Sequence, residues 1–159
     1  RSDVADTDTE YCCQDDGMVG LGCGARSYTA DLHYSFDYAV GVPAVRAIID
    51  DYTATDDFSC ATVGIALDAH EQRRRWLIKT LLRAEGVDLA SYSARFGSAL
   101  HDDVPGLEVL ADRGWTDLVD DGTGTVLRLT STGLAHSDLI GPWLVSDTVR
   151  ASMAGAELR

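Results

Sequence analysis

Trp115-Thr-Asp-Leu-Val-Asp-Asp-Gly-Thr-Gly-Thr-Val-Leu-Arg-Leu129 decides how the second half of the chain reads. Two alternating runs, 115–119 and 125–129, flank Asp120-Asp-Gly-Thr-Gly124, and the Asp-Gly step supplies the positive φ that a hairpin turn needs. Three helical patterns precede it. The first spans 68–83, with Leu77, Leu81 and Leu82 on a stripe flanked by Trp76 and Ile78, and Gly86 stops it. The second, 89–96, is capped by Asp88 and closed by Gly97. A third starts at Asp102 or Asp103 with Pro105, turns Leu107, Val109, Leu110 and Ala111 inward, and ends at Gly114. After the hairpin, Thr130 caps a last helix over 131–140.

Three helices, a two-stranded wing and a final helix predict a small winged-helix-like domain over 68–145, with 146–159 as a tail. Such a fold suggests DNA binding, but the charges oppose it. The third helix carries Asp102, Asp103, Glu108 and Asp112 against Arg113 alone, the wing adds Asp117, Asp120 and Asp121, and the 159-residue chain has a formal charge of −13. Phosphate backbones require the opposite sign. The basic cluster Arg73-Arg74-Arg75 with Lys79 and Arg83 reads as a solvated helix face. No nucleic-acid partner is expected.

The first half turns on Tyr11-Cys-Cys-Gln-Asp-Asp-Gly-Met-Val-Gly-Leu-Gly-Cys-Gly-Ala-Arg-Ser-Tyr28. Met18-Val-Gly-Leu21 is a short apolar run that suits a buried strand. Gly20, Gly22 and Gly24 remove side chains at alternate positions, so a ligand or a neighbouring strand can press against the backbone. The spacing misses Gly-x-Gly-x-x-Gly opening into a helix, and no Gly-Lys-Ser/Thr follows, so a nucleotide loop is disfavoured. Tyr34 to Tyr38 add aromatics, and Pro43 opens a helix over 44–52 with Val45, Ile48, Ile49 and Tyr52 on one face. This half has too few strands to close a sheet. Residues 11–67 therefore read as the end of a larger α/β layer, and residues 1–10 as disordered or linker.

Cys12, Cys13, Cys23 and Cys60 match neither structural zinc spacing nor an iron–sulfur run, and they read as reduced thiols, with no metal site. His33, His70, His101 and His136 form no ligand pair. His33 stands out only because it lies near the glycine loop and Tyr28. No apolar run is long enough to span a membrane. The acidic, lysine-poor composition suggests a cytoplasmic protein.

The 11–28 segment followed by Leu32-His-Tyr-Ser35 resembles the end of the catalytic barrel in radical S-adenosylmethionine proteins of the oxygen-independent coproporphyrinogen III oxidase type. Arg75-Trp-Leu-Ile-Lys-Thr-Leu-Leu82, the stretch 107–114 and Leu129-Thr-Ser-Thr-Gly133 are similar to that family's C-terminal domain. The resemblance implies an α+β chain: the last strand and helix of a (β/α) barrel, then the winged-helix-like domain. It also implies a [4Fe–4S] cluster and S-adenosylmethionine in the whole protein, serving radical chemistry in anaerobic tetrapyrrole metabolism. The family's Cys-x₃-Cys-x₂-Cys is absent from this sequence. The chain is therefore expected to be a C-terminal portion that binds neither cofactor alone and is not catalytic.

Under that resemblance Gly20, Gly22 and Gly24 permit close approach of cofactor or substrate. Arg26 pairs with a propionate or carboxylate, or else with an acidic residue of the second half, and Tyr28 and His33 are secondary contacts to a tetrapyrrole. The expected partner is the missing N-terminal barrel portion, with self-association through an exposed barrel edge. Two other readings stand beside it: a haem- or tetrapyrrole-binding or chaperone-like module without catalysis, and an acidic protein-interaction domain.

Overall fold

The computed structural model describes residues 12–61, 63–120, 122 and 124–155. They form a mixed α+β fold with small antiparallel sheets, and the chain divides into two compact units between Leu67 and Asp68. No closed barrel is present among the described residues. The predicted linker 1–10 lies outside them.

In the first unit a single turn, α1 (Cys13–Asp16), precedes β1 (Arg26–Tyr28), β2 (Leu32–Ser35), α2 (Val42–Ala54) and β3 (Val63–Ala66). The sheet order is β1-β2-β3, antiparallel throughout, with Tyr28 opposite His33 and His33 opposite Ile65. That pairing departs from the parallel strands expected of a barrel end. Met18-Val-Gly-Leu21 is not the buried strand its composition suggested. Only Met18 makes a bridge, to Tyr28, while Val19 is 71% and Leu21 90% exposed. A four-residue apolar run lacks a second layer here to bury it, so its hydrophobicity does not set its conformation. Cys12 is the N-cap residue of α1 and Cys13 its first residue.

α2 begins two residues before its predicted start, with Pro43 in its first turn where the missing N–H costs nothing. Of the face Val45, Ile48, Ile49 and Tyr52, only Ile48 is buried, and Tyr52 is partly so. The hydrophobic side chains buried in this unit are Ala39, Ile48 and Leu67.

The second unit has a continuous core. α3 (Ala69–Leu81) is capped by Asp68, whose carboxylate accepts from the Glu71 N–H at 2.8 Å. A turn through Gly86, at φ +75°, delivers the short strand β4 (Val87–Asp88). Only glycine fits there, because a Cβ would sit 2.5 Å from the Leu127 carbonyl oxygen. Asp88 caps α4 (Leu89–Phe96) by accepting from Ser91 N–H at 2.6 Å, and Gly97 closes it in the left-handed conformation.

The single third helix expected from Asp102 is two short ones, α5 (Leu100–Asp103) and α6 (Glu108–Asp112), with Pro105 and Gly106 between them. Proline has no N–H to continue the ladder, and Gly106 takes φ +88°. Leu107 and Leu110, one turn apart, are buried, whereas Val109 and Ala111 face outward.

β5 (Thr116–Asp120) and β6 (Thr125–Leu129) form the hairpin, with Leu118 opposite Leu127. β4 joins on the far side of β6, giving the order β4-β6-β5. Thr130 caps α7 (Ser131–Ala135), its hydroxyl accepting from Gly133 N–H at 3.0 Å. The expected last helix is broken at His136 and resumes as α8 (Ser137–Leu144), and the expected tail contains α9 (Asp147–Gly155). Leu77, Leu81, Val87, Tyr92, Val104, Leu110, Ile140 and Leu144 are essentially inaccessible to water. Each such side chain contributes about 1.5–3 kcal/mol of burial free energy.

Candidate functional site

The glycine loop lies over a cleft of about 310 Å³ within the first unit, walled by Tyr34, Phe36, Tyr52 and Phe58, with Cys60 at its edge. The loop is held by its own polar groups. Gly20 donates its N–H to the buried Ser27 hydroxyl at 3.0 Å, and Gly22 donates to the Tyr52 hydroxyl at 3.1 Å. Tyr52 in turn meets Phe36 edge-on at 5.3 Å and Phe58 at 5.1 Å between ring centroids. α2 thus projects the tyrosine that anchors the loop.

The three glycines have different reasons to be glycine. A Cβ on Gly20 would lie 2.5 Å from the Arg26 carbonyl oxygen and 2.7 Å from the Ala25 Cβ, so this residue is required by close chain packing. Gly22 has φ +115°, a conformation that disfavours other residues. Gly24 meets nothing within 4 Å.

Of the six residues singled out from the sequence, Gly20 and Gly22 line the cleft, and Gly24, Arg26, Tyr28 and His33 do not. Tyr28 and His33 face each other across the β1–β2 ladder, edge to face at 4.8 Å. Side chains alternate along a strand, so this pair lies on the opposite side of the sheet from Ser27 and Tyr34. Arg26 is exposed. Tyr52, named from the sequence only for its helix face, builds the site with Phe36, Phe58 and Ser27, of which only Phe36 falls within the aromatic stretch 34–38.

Two further polar clusters lie in the second unit. Asp103 accepts hydrogen bonds from the hydroxyls of Tyr92 at 2.9 Å and Ser98 at 2.5 Å, and its carboxylate lies 3.1 Å from Arg73 Nε. Burial pushes the Asp103 carboxyl up, but the Ser98 and Tyr92 hydrogen bonds and the Arg73 guanidinium outweigh it and hold it below the usual carboxylate range. The Tyr92 phenol is pushed well above its ordinary value, chiefly by burial and then by Asp103. This network ties α3, α4 and α5 together.

Asp68, His70 and Glu71 are the one group among the described residues whose ligand atoms lie close enough to hold a metal ion. Their surroundings oppose a cation. Asp68 is committed to capping α3, and Arg74 donates to His70 Nε2 at 3.1 Å. The N-terminus of a helix also carries positive partial charge. The cysteines form no ligand group among the described residues, so these residues do not fit an iron–sulfur cluster.

No helix among the described residues is long and apolar enough to cross a membrane. Compared with known proteins, the chain matches no protein-family model, no curated protein and no solved structure.

Proposed function

We propose that this chain is the C-terminal portion of a radical S-adenosylmethionine protein of the oxygen-independent coproporphyrinogen III oxidase type. In this reading residues 11–67 finish the catalytic barrel and residues 68–145 are the winged-helix-like domain that follows. The observation that carries it is the mismatch between apolar sequence and burial in the first unit. Val19, Leu21, Val42, Val45, Ile49, Phe58 and Val63 are all exposed in the unit that carries the glycine loop. Apolar surface on this scale fits a segment that the rest of a larger protein covers. The N-terminal barrel portion is that partner.

The order β4-β6-β5, with α3 before β4 and α4 to α6 before the hairpin, supports the winged-helix-like reading of the second unit. S-adenosylmethionine and its cluster supply radical chemistry in proteins of this type. No chemical step is assigned to the present residues, because they hold no ligand set for the cluster, and the chain alone is expected to be inactive. Its own contribution is positional: Gly20 and Gly22 keep the loop thin over the cleft, and the exposed Arg26 offers a guanidinium to a carboxylate.

A tetrapyrrole-binding module without catalysis is the second reading, and the aromatic walls of the cleft favour it. It gains nothing from His33 and Tyr28, which contact each other away from that cleft. The test of the first reading is the reading frame that encodes Arg1, followed upstream. Cys-x₃-Cys-x₂-Cys in that frame is the expected result, and an open frame without the motif overturns the proposal.

A further inference from the structure

We propose that the groove between β5 and helices α4, α5 and α6 receives an extended, basic segment of another protein, which adds as a strand to β5 and seats an apolar side chain in the groove. This goes beyond the reading above and does not depend on it.

The groove encloses about 340 Å³ and is lined chiefly by Leu89, Leu100, Leu107, Ala111, Leu118 and Leu127. Its charged lining residues are Glu108 and Asp117, with His101 beside them, and neither lysine nor arginine lines it. His101 lies 3.1 Å from Asp102, so the local field stays acidic. A basic partner meets that field, and an acidic one is repelled.

β5 is the outer strand of the order β4-β6-β5. Thr130 donates to the Trp115 carbonyl at 3.0 Å, which sets the phase of the ladder. Residues 117 and 119 then direct their main-chain groups to β6, and Leu118 and Asp120 direct theirs outward. Leu118 is 65% exposed next to this edge. Strand addition uses such free main-chain groups for affinity and side-chain pockets for selection. The acidic pair Asp117 and Asp120 lies along the same edge and selects lysine or arginine on the incoming strand.

The test titrates the synthetic peptide acetyl-Lys-Val-Lys-Phe-Lys-Val-Lys-amide, and its glutamate counterpart, into the ¹⁵N-labelled chain. The proposal expects amide shifts confined to the groove and its edge strand, at 89, 93, 99–101, 107–120 and 127, slowed exchange of the Leu118 and Asp120 amides, and no binding of the glutamate peptide. Leu118→Lys, checked for retained circular dichroism, weakens binding about tenfold. Asp120→Lys, an exposed change that also removes the acceptor of the Gly122 N–H and is likewise checked for retained circular dichroism, weakens it about threefold.

Four results overturn the proposal. The shifts spread over the other acidic surfaces with both variants binding as the parent does, leaving non-specific attraction. The glutamate peptide binds equally well. Neither peptide shifts these amides. The same amides shift with protein concentration alone, making a second copy of the chain the occupant.

Discussion

Removing the Asp103 carboxylate tests whether the polar network between α3, α4 and α5 holds the second unit together. Asp103→Ala deletes the acceptor of two hydroxyl hydrogen bonds and the partner of Arg73 Nε. Tyr92 is fully buried, so its hydroxyl is left without an acceptor and without water. Hydrogen bonds to a charged group contribute about 1.5–3 kcal/mol each, and an orphaned buried donor costs about 1–3 kcal/mol. The Asp103 side chain is 18% and that of Arg73 23% exposed, so solvent screens part of the ion pair and the sum is discounted. The expected loss is about 3 kcal/mol.

Trp76, Trp115 and Trp143 all fall in the second unit, so tryptophan fluorescence during urea unfolding reports on it selectively. With a slope of about 1.5 kcal/mol/M, the midpoint falls by about 2 M. Tyr92→Phe keeps the ring in the core and removes one hydrogen bond, for a loss of about 1.5 kcal/mol. An Asp103→Ala unfolding free energy within about 0.5 kcal/mol of the parent would refute this reasoning, because the carboxylate would then be a solvated surface group.

The same network predicts an acid response. The folded-state pKa of Asp103 is depressed, so its stabilisation is fully present above the unfolded value near 3.8 and is lost as pH falls through the lower folded value. Acid titration of stability should therefore be flatter below pH 3.8 in Asp103→Asn than in the parent; parallel curves contradict the assignment. Leu77→Ala in the core should cost about 3 kcal/mol, whereas Leu21→Ala in the exposed loop should change stability by no more than about 0.5 kcal/mol. Equal effects in chemical denaturation would mean that the two units are equally packed. Gly133→Ala sets a methyl group against the Trp115 carbonyl, backbone that cannot yield like a side chain, and should cost about 2 kcal/mol by thermal unfolding.

What the sequence disclosed follows from how local each signal is. Asp88, Gly97 and Thr130 act within one helical turn, and their caps are where the spacing placed them. The hairpin around Gly122 is equally local. β4 escaped notice because two residues carry no periodicity; it exists by pairing with β6 across 40 residues of chain. The break at Pro105 was visible as a residue but not as a consequence, since proline both starts and ends helices. In the first unit the run Met18 to Leu21 was read by hydrophobicity alone, and hydrophobicity becomes structure only where a second layer covers it. The cleft was harder still, because the Gly22–Tyr52 hydrogen bond joins residues 30 apart. No spacing rule links a glycine loop to a particular tyrosine on a later helix.

Hydrogen–deuterium exchange, run on the chain alone and on a version extended upstream along its reading frame, tests the central claim most directly. The account predicts that amides of residues 18–60 exchange quickly in the chain alone, while those around Leu77, Tyr92 and Ile140 are protected. It predicts that 18–60 slow markedly once the upstream segment is present. Protection of 18–60 equal to that of the second unit in the chain alone, unchanged by the extension, would show a self-contained first unit and contradict the account.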